Sequence, residues 1–105
     1  MKIDEILSKE SIIPNLTGTN KEEVLREITD FLQNLGLIKD KGTLFNTLME
    51  REKLGSTGIG ENVAIPHGKS DELSQIIIVF GRSIEGLDFE SLDQKPVHFV
   101  CMVIA

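Results

Sequence analysis

Tryptophan and tyrosine are missing from the 105 residues, and there is 1 cysteine. A lone Cys101 rules out an intrachain disulfide and leaves no zinc spacing to assemble. Its apolar neighbours in Phe99-Val100-Cys101-Met102-Val103-Ile104 give it the part of a small buried core residue. Positive charge is also scarce. The chain has 11 Lys and Arg against 17 Asp and Glu, for a net charge of −6. That sign excludes wrapping nucleic acid, whose phosphates demand Lys and Arg, and gives no reason to adhere to an anionic membrane. No apolar run is long enough to span a bilayer, so direct membrane insertion is not expected. Met1-Lys2-Ile3-Asp4-Glu5 puts acids where a secretory leader carries bases. These absences together point to a cytoplasmic protein of a reducing compartment.

At this length the expectation is a single domain with a modest core. Residues 3–8 read as a short helix. Residues 11–16 read as extended, with Pro14 hinting at an edge. Asn20-Lys21-Glu22-Glu23 reads as a capping box. Behind it, Val24, Leu25, Ile28, Phe31, Leu32 and Leu35 recur at helical spacing up to Gly36. A second helix is expected from about Asp40 to Gly55, with Leu44, Phe45, Leu48 and Met49 on one face. Residues 63–65 form a short strand. Residues 75–80 form a strand buried on both faces, residues 81–96 turns, and residues 97–104 a last strand. The order β, α, α, β, β, β makes the chain α/β, a sheet covered by helices. Its two late strands carry more apolar surface than two helices can cover, and that surface is expected to drive self-association or meet a partner.

The glycine-rich stretch Ser56-Thr57-Gly58-Ile59-Gly60-Glu61-Asn62-Val63-Ala64-Ile65-Pro66-His67-Gly68-Lys69-Ser70 carries the chemistry. Gly68-Lys69-Ser70 imitates the end of a phosphate-binding loop. However, Val63 stands where that loop needs its first glycine, and a strand follows where it needs a helix. The third glycine of a dinucleotide fingerprint is missing after Gly58-Ile59-Gly60. A metal would have only His67 and His98, in no ligand spacing. Two readings of His67 stay open: a structural histidine on a turn, or a nucleophile toward phosphorus. Histidine titrates near about 6.5, so its neutral ring is available near neutral pH, and it can carry a phosphoryl group covalently. Ser56, Thr57 and Gly58 would offer donors to phosphoryl oxygens. Arg51 would add positive charge, or would merely complement its helix end together with Lys53.

The run from Arg51 to Lys69 resembles the signature of the type 2 enzyme IIA domains of the phosphoenolpyruvate-dependent phosphotransferase system, the fructose, mannitol and nitrogen-regulatory group. Gly81-Arg82-Ser83-Ile84-Glu85-Gly86-Leu87-Asp88-Phe89 and Lys95-Pro96-Val97-His98 resemble the fructose branch. Gly55 and Pro66-His67-Gly68-Lys69 fit the nitrogen-regulatory branch equally well. The resemblance implies that His67 takes a phosphoryl group on Nε2 from the phosphocarrier HPr and passes it to an enzyme IIB. In the regulatory branch, phosphorylation state instead controls binding to other proteins. It implies a mixed β-sheet flanked by α-helices, a charge-stabilising role for Arg51 and no metal or organic cofactor. It also implies that residues 1–105 lack the family's C-terminal helices and second active-site histidine. His98 is not that histidine and is expected to be an ordinary residue near a strand start.

Overall fold

The computed structural model describes residues 11–105; the helix expected at residues 3–8 lies outside them. Among the described residues, two helices are each capped at the start by a side chain. Asn20 accepts the Glu23 N–H at 2.9 Å and starts α1, Lys21–Asn34. The Glu23 carboxylate turns back one residue further than a capping box requires, onto the N–H and O–H of Thr19 at 2.8 Å. The Thr19 N–H, then its hydroxyl, hold that carboxyl below its ordinary value. Asp40 accepts the Thr43 N–H at 3.0 Å and starts α2, Lys41–Lys53. On α1, Val24, Leu25, Ile28 and Leu32 are fully buried, whereas Leu35 lies past the last turn and is exposed. On α2, Leu44 and Leu48 enter the core.

The helices lie on one face of a six-stranded sheet. Its strands are β1 Ile12–Ile13, β2 Gly58–Gly60, β3 Val63–Ala64, β4 His67–Gly68, β5 Ile77–Leu87 and β6 Val97–Ile104. The order is β1-β5-β6-β3-β2, with β4 also on β6. β5 and β6 run antiparallel, while β1 on β5 and both β3 and β4 on β6 are parallel. The sheet is therefore mixed, as the family resemblance implies. β3 and β4 are one strand in register: Val63 pairs Phe99, Ala64 pairs Val100, His67 pairs Val103 and Gly68 pairs Ile104. Pro66 cannot donate to the ladder, but its carbonyl still accepts the Val103 N–H at 2.9 Å.

Three expectations are corrected. First, residues 81–87 are strand rather than turn. Gly81 sits in β5, where its missing side chain leaves room for Leu16. A Cβ there would stand 2.8 Å from Leu16 Cδ1. Gly81→Val is expected to cost about 1–3 kcal/mol by overpacking; a urea midpoint equal to the wild type's would show that Leu16 yields freely. Second, β5 is buried on one face only. Val79, Gly81 and Ser83 face the helices, while Ile78 and Phe80 are half-buried on the other side, where Phe80 meets the Phe99 ring at 5.8 Å. Third, Cys101 pairs Phe80 in the ladder and belongs to that open face, so it is half-buried rather than core. Partial burial still pushes its thiol pKa up. Ile76 and Phe99, each 41% exposed, complete a large apolar surface, as the excess of apolar strand residues led one to expect.

Candidate functional site

His67 lies on β4, not on a turn. Alternation along residues 63–68 points Ala64, Pro66 and Gly68 toward the helices and Val63, Ile65 and His67 away from them. The ring thus stands beside Val103 at the rim of the open face, and it is exposed. Gly68 allows the last turns of α2 to come close. A Cβ on it would stand 3.3 Å from both Leu48 Cδ2 and Thr47 Cγ2. That approach carries Arg51, near the end of α2, to the ring.

Two contacts define the state of the imidazole. Nδ1 lies 3.0 Å from the Ile65 carbonyl oxygen, which can only accept. Nε2 lies 3.2 Å from Arg51 Nε, which can only donate. The consistent assignment is a neutral ring with its proton on Nδ1 and its lone pair on Nε2. Arg51 is itself held, since its Nη1 donates to the Gly55 carbonyl at 2.8 Å. Arg51 therefore both caps its helix end and reaches the ring, whereas Lys53 is taken up by Glu50 at 2.8 Å on the surface.

The other three expected site residues are adjacent in sequence to this arrangement, but their donors are committed internally. The Ser56 hydroxyl donates to the Phe89 carbonyl and accepts the Gly58 N–H, both at 3.0 Å. Thr57 is 4% exposed, and both its N–H and its hydroxyl go to the Glu52 carboxylate. A phosphoryl group at His67 would find the guanidinium before it found any of these. His98 is elsewhere, half-buried, with Nδ1 2.8 Å from the Ser83 carbonyl. Among the described residues no cluster of His, Cys, Asp and Glu could hold a metal ion. No helix among them is long and apolar enough to cross a membrane.

Sequence reasoning missed Lys21 and Glu52. Lys21 Nζ lies 3.1 Å from Glu52 Oε1, with the two side chains 9% and 3% exposed. The signal was available. Lys21 is the first residue of α1, where the helix dipole disfavours a cation, and Glu52 is near the end of α2, where it disfavours an anion. Two charges, each at the wrong end of its own helix, mark a pair joining the start of one to the end of the other.

Three comparisons bear on this geometry. Residues 5–105 match the family model described as phosphoenolpyruvate-dependent sugar phosphotransferase system, EIIA 2. The whole chain is 42% identical to a fructose-specific EIIABC component of Bacillus subtilis, but it spans only 16% of that protein's length. The nitrogen regulatory protein IIA-Ntr of Neisseria meningitidis superposes with a TM-score of 0.85 at 34% identity, over 97% of this chain and 69% of that one. The mannitol enzyme IIA of Escherichia coli, in its complex with phosphorylated enzyme IIB, superposes with a TM-score of 0.78 at 26% identity, over 94% and 69%.

Proposed function

The chain belongs to the EIIA 2 family of the phosphoenolpyruvate-dependent sugar phosphotransferase system, a family of phosphoryl-transfer components, and from that premise we propose that His67 is its phosphoryl acceptor. In this reading residues 1–105 act as an EIIA type 2 unit, HPr is the donor and an enzyme IIB the acceptor, most simply of the fructose type. The observation that carries the reading is the ring held by Ile65 and Arg51 with its Nε2 lone pair at the exposed rim. The step balances without moving a proton. The Nε2 lone pair forms the bond to phosphorus, and the bond from phosphorus to the donor breaks, its electron pair staying with the donor. Nδ1 keeps its hydrogen, and the positive charge left on the ring faces the Ile65 carbonyl oxygen. Arg51 moves from the lone pair to the incoming phosphoryl oxygens, where positive charge and positioning are what the transfer asks of a protein. Incubation with phosphoenolpyruvate, enzyme I and HPr should add the mass of one phosphoryl group, in an acid-labile, alkali-stable form. An unchanged mass would reject the reading.

Arg51→Lys separates the site role from capping. Lysine keeps the charge and loses the planar fork. Hydrogen bonds to charged groups are worth about 1.5–3 kcal/mol, so transfer is expected to slow roughly ten- to a hundredfold with little change in melting temperature. Unchanged transfer would leave Arg51 a helix cap only.

The likeness to the Neisseria nitrogen regulatory protein supports a second reading. In it the same phosphohistidine switches binding to other proteins and is not passed on. Discharge of the phosphorylated chain by a fructose-type enzyme IIB favours the first reading, and its retention favours the second. Contact between copies of the chain through the open sheet face belongs to the same proposal, given the exposure of Ile76 and Phe99 there.

A further inference from the structure

We propose that Glu52, clamped by Lys21, is a positioning residue that fixes which nitrogen of His67 is free to react, an inference that rests on His67 being the phosphoryl acceptor. The connection is continuous. Glu52 Oε1 accepts the Thr57 N–H at 3.0 Å, and its other oxygen accepts the Thr57 hydroxyl. The Thr57 carbonyl accepts the Ile65 N–H at 3.0 Å. The Ile65 carbonyl accepts Nδ1–H of His67, also at 3.0 Å. The residue before Glu52 on the same helical turn is Arg51, whose Nε donates to the other ring nitrogen. One turn of α2 therefore governs both nitrogens, Nε2 directly and Nδ1 through Thr57 and Ile65.

The chemistry requires a carboxylate. Thr57 presents an N–H and an O–H, and Lys21 presents an ammonium, so three donors converge on one side chain that only accepts. Lys21 is itself confined, with its ammonium 5.2 Å from the centre of the Phe89 ring and 3.1 Å from Glu52. A more distant contact, 3.7 Å to the exposed Glu90, adds little to that confinement. The start of α1, the end of α2 and the strand before His67 are thereby tied at one point. The relay holds the ring in the Nδ1–H tautomer, the one that free histidine in water disfavours. Without the tie, the Ile65 carbonyl is no longer held under Nδ1, and the ring can present either nitrogen.

The test uses the full chain and no protein donor. Nitrogen-15 spectra of the His67 ring read the tautomer ratio. Phosphoramidate, a small P–N donor, reads which nitrogen takes the phosphoryl group. In the wild type the proton is expected on Nδ1 and the phosphoryl group on Nε2. Lys21→Met/Glu52→Met replaces the buried pair by apolar side chains of similar length and cuts the tie to Thr57. It is expected to shift the proton toward Nε2 and the phosphoryl group toward Nδ1, each ratio by about three- to tenfold, the equivalent of one net hydrogen bond. Thr57→Val removes only the hydroxyl and should shift them in the same direction, and Thr57→Ser should restore them. If the double variant fails to fold, Thr57→Val and Thr57→Ser decide the matter. Wild-type ratios in folded variants would overturn the proposal and leave the pair a purely structural one. Because neither readout needs HPr, a wild-type chain that takes nothing from phosphorylated HPr would reject the functional reading while the tautomer ratios still report on Glu52.

Discussion

His67→Ala is expected to abolish phosphoryl uptake from HPr altogether, with no measurable change in fold. The side chain is exposed and its polar partners are one carbonyl and the Arg51 side chain, so surface-type substitution effects within about 0.5 kcal/mol apply. No second histidine can take its place. His98 is half-buried, its Nδ1 is engaged by the Ser83 carbonyl at 2.8 Å, and its ring packs against Gly86. His98→Ala should therefore change stability and leave uptake intact. Cys101, also on the open face, is partly buried, and that burial raises its thiol pKa and lowers its share of reactive thiolate. Intact-mass measurement of the three proteins, wild type, His67→Ala and His98→Ala, after incubation with phosphoenolpyruvate, enzyme I and HPr decides the assignment. Phosphate on His67→Ala, or its loss from His98→Ala, would move the site.

Much of the fold around this candidate site is legible in the sequence. Both helices follow from capping residues and apolar spacing, and those patterns act through local physics. The Asn20 and Asp40 caps form as written because a short acceptor beside a helix start satisfies free N–H groups wherever the rest of the chain goes. His67 stood out by its setting. What could not be read was set by distant partners. Gly81 looks like a breaker until Leu16 is seen lying over it. Gly58–Gly60 and His67–Gly68 have no strand-like composition, and they become strands because β3 and β6 supply a ladder for them. The turn between β2 and β3 requires positive φ at both Glu61 (56°) and Asn62 (67°), and only asparagine announces that. The donors of Ser56 and Thr57 look available for a phosphoryl group because Phe89 and Glu52, their partners, are revealed only by the fold, and the Gly58 N–H is taken by the Ser56 hydroxyl that Phe89 holds.

The second large effect is expected at the Lys21–Glu52 pair. The two groups lie 3.1 Å apart and almost wholly out of water. A buried pair of this kind is weak as a net source of stability, since desolvating both ions offsets most of their attraction. Breaking it is another matter. Lys21→Met leaves a carboxylate in the interior with only the two Thr57 donors. Glu52→Met leaves an ammonium facing an aromatic ring and one distant, exposed carboxylate, while Thr57 loses two acceptors. Each single substitution is expected to cost about 3–5 kcal/mol, a large part of the stability of a domain this small. Lysine has the softer escape, because its long stem can carry the charge to solvent, so Glu52→Met should be the milder of the two in a stability curve. Lys21→Met/Glu52→Met removes both charges and keeps the volume, and it should recover most of the loss, leaving only the unpaired Thr57 groups at about 1–3 kcal/mol. Urea denaturation of the four proteins closes the cycle. Costs that simply add would mean that the two ions do not interact across those 3.1 Å, whereas a double variant markedly more stable than either single is the signature of a pair whose members are costly only when separated.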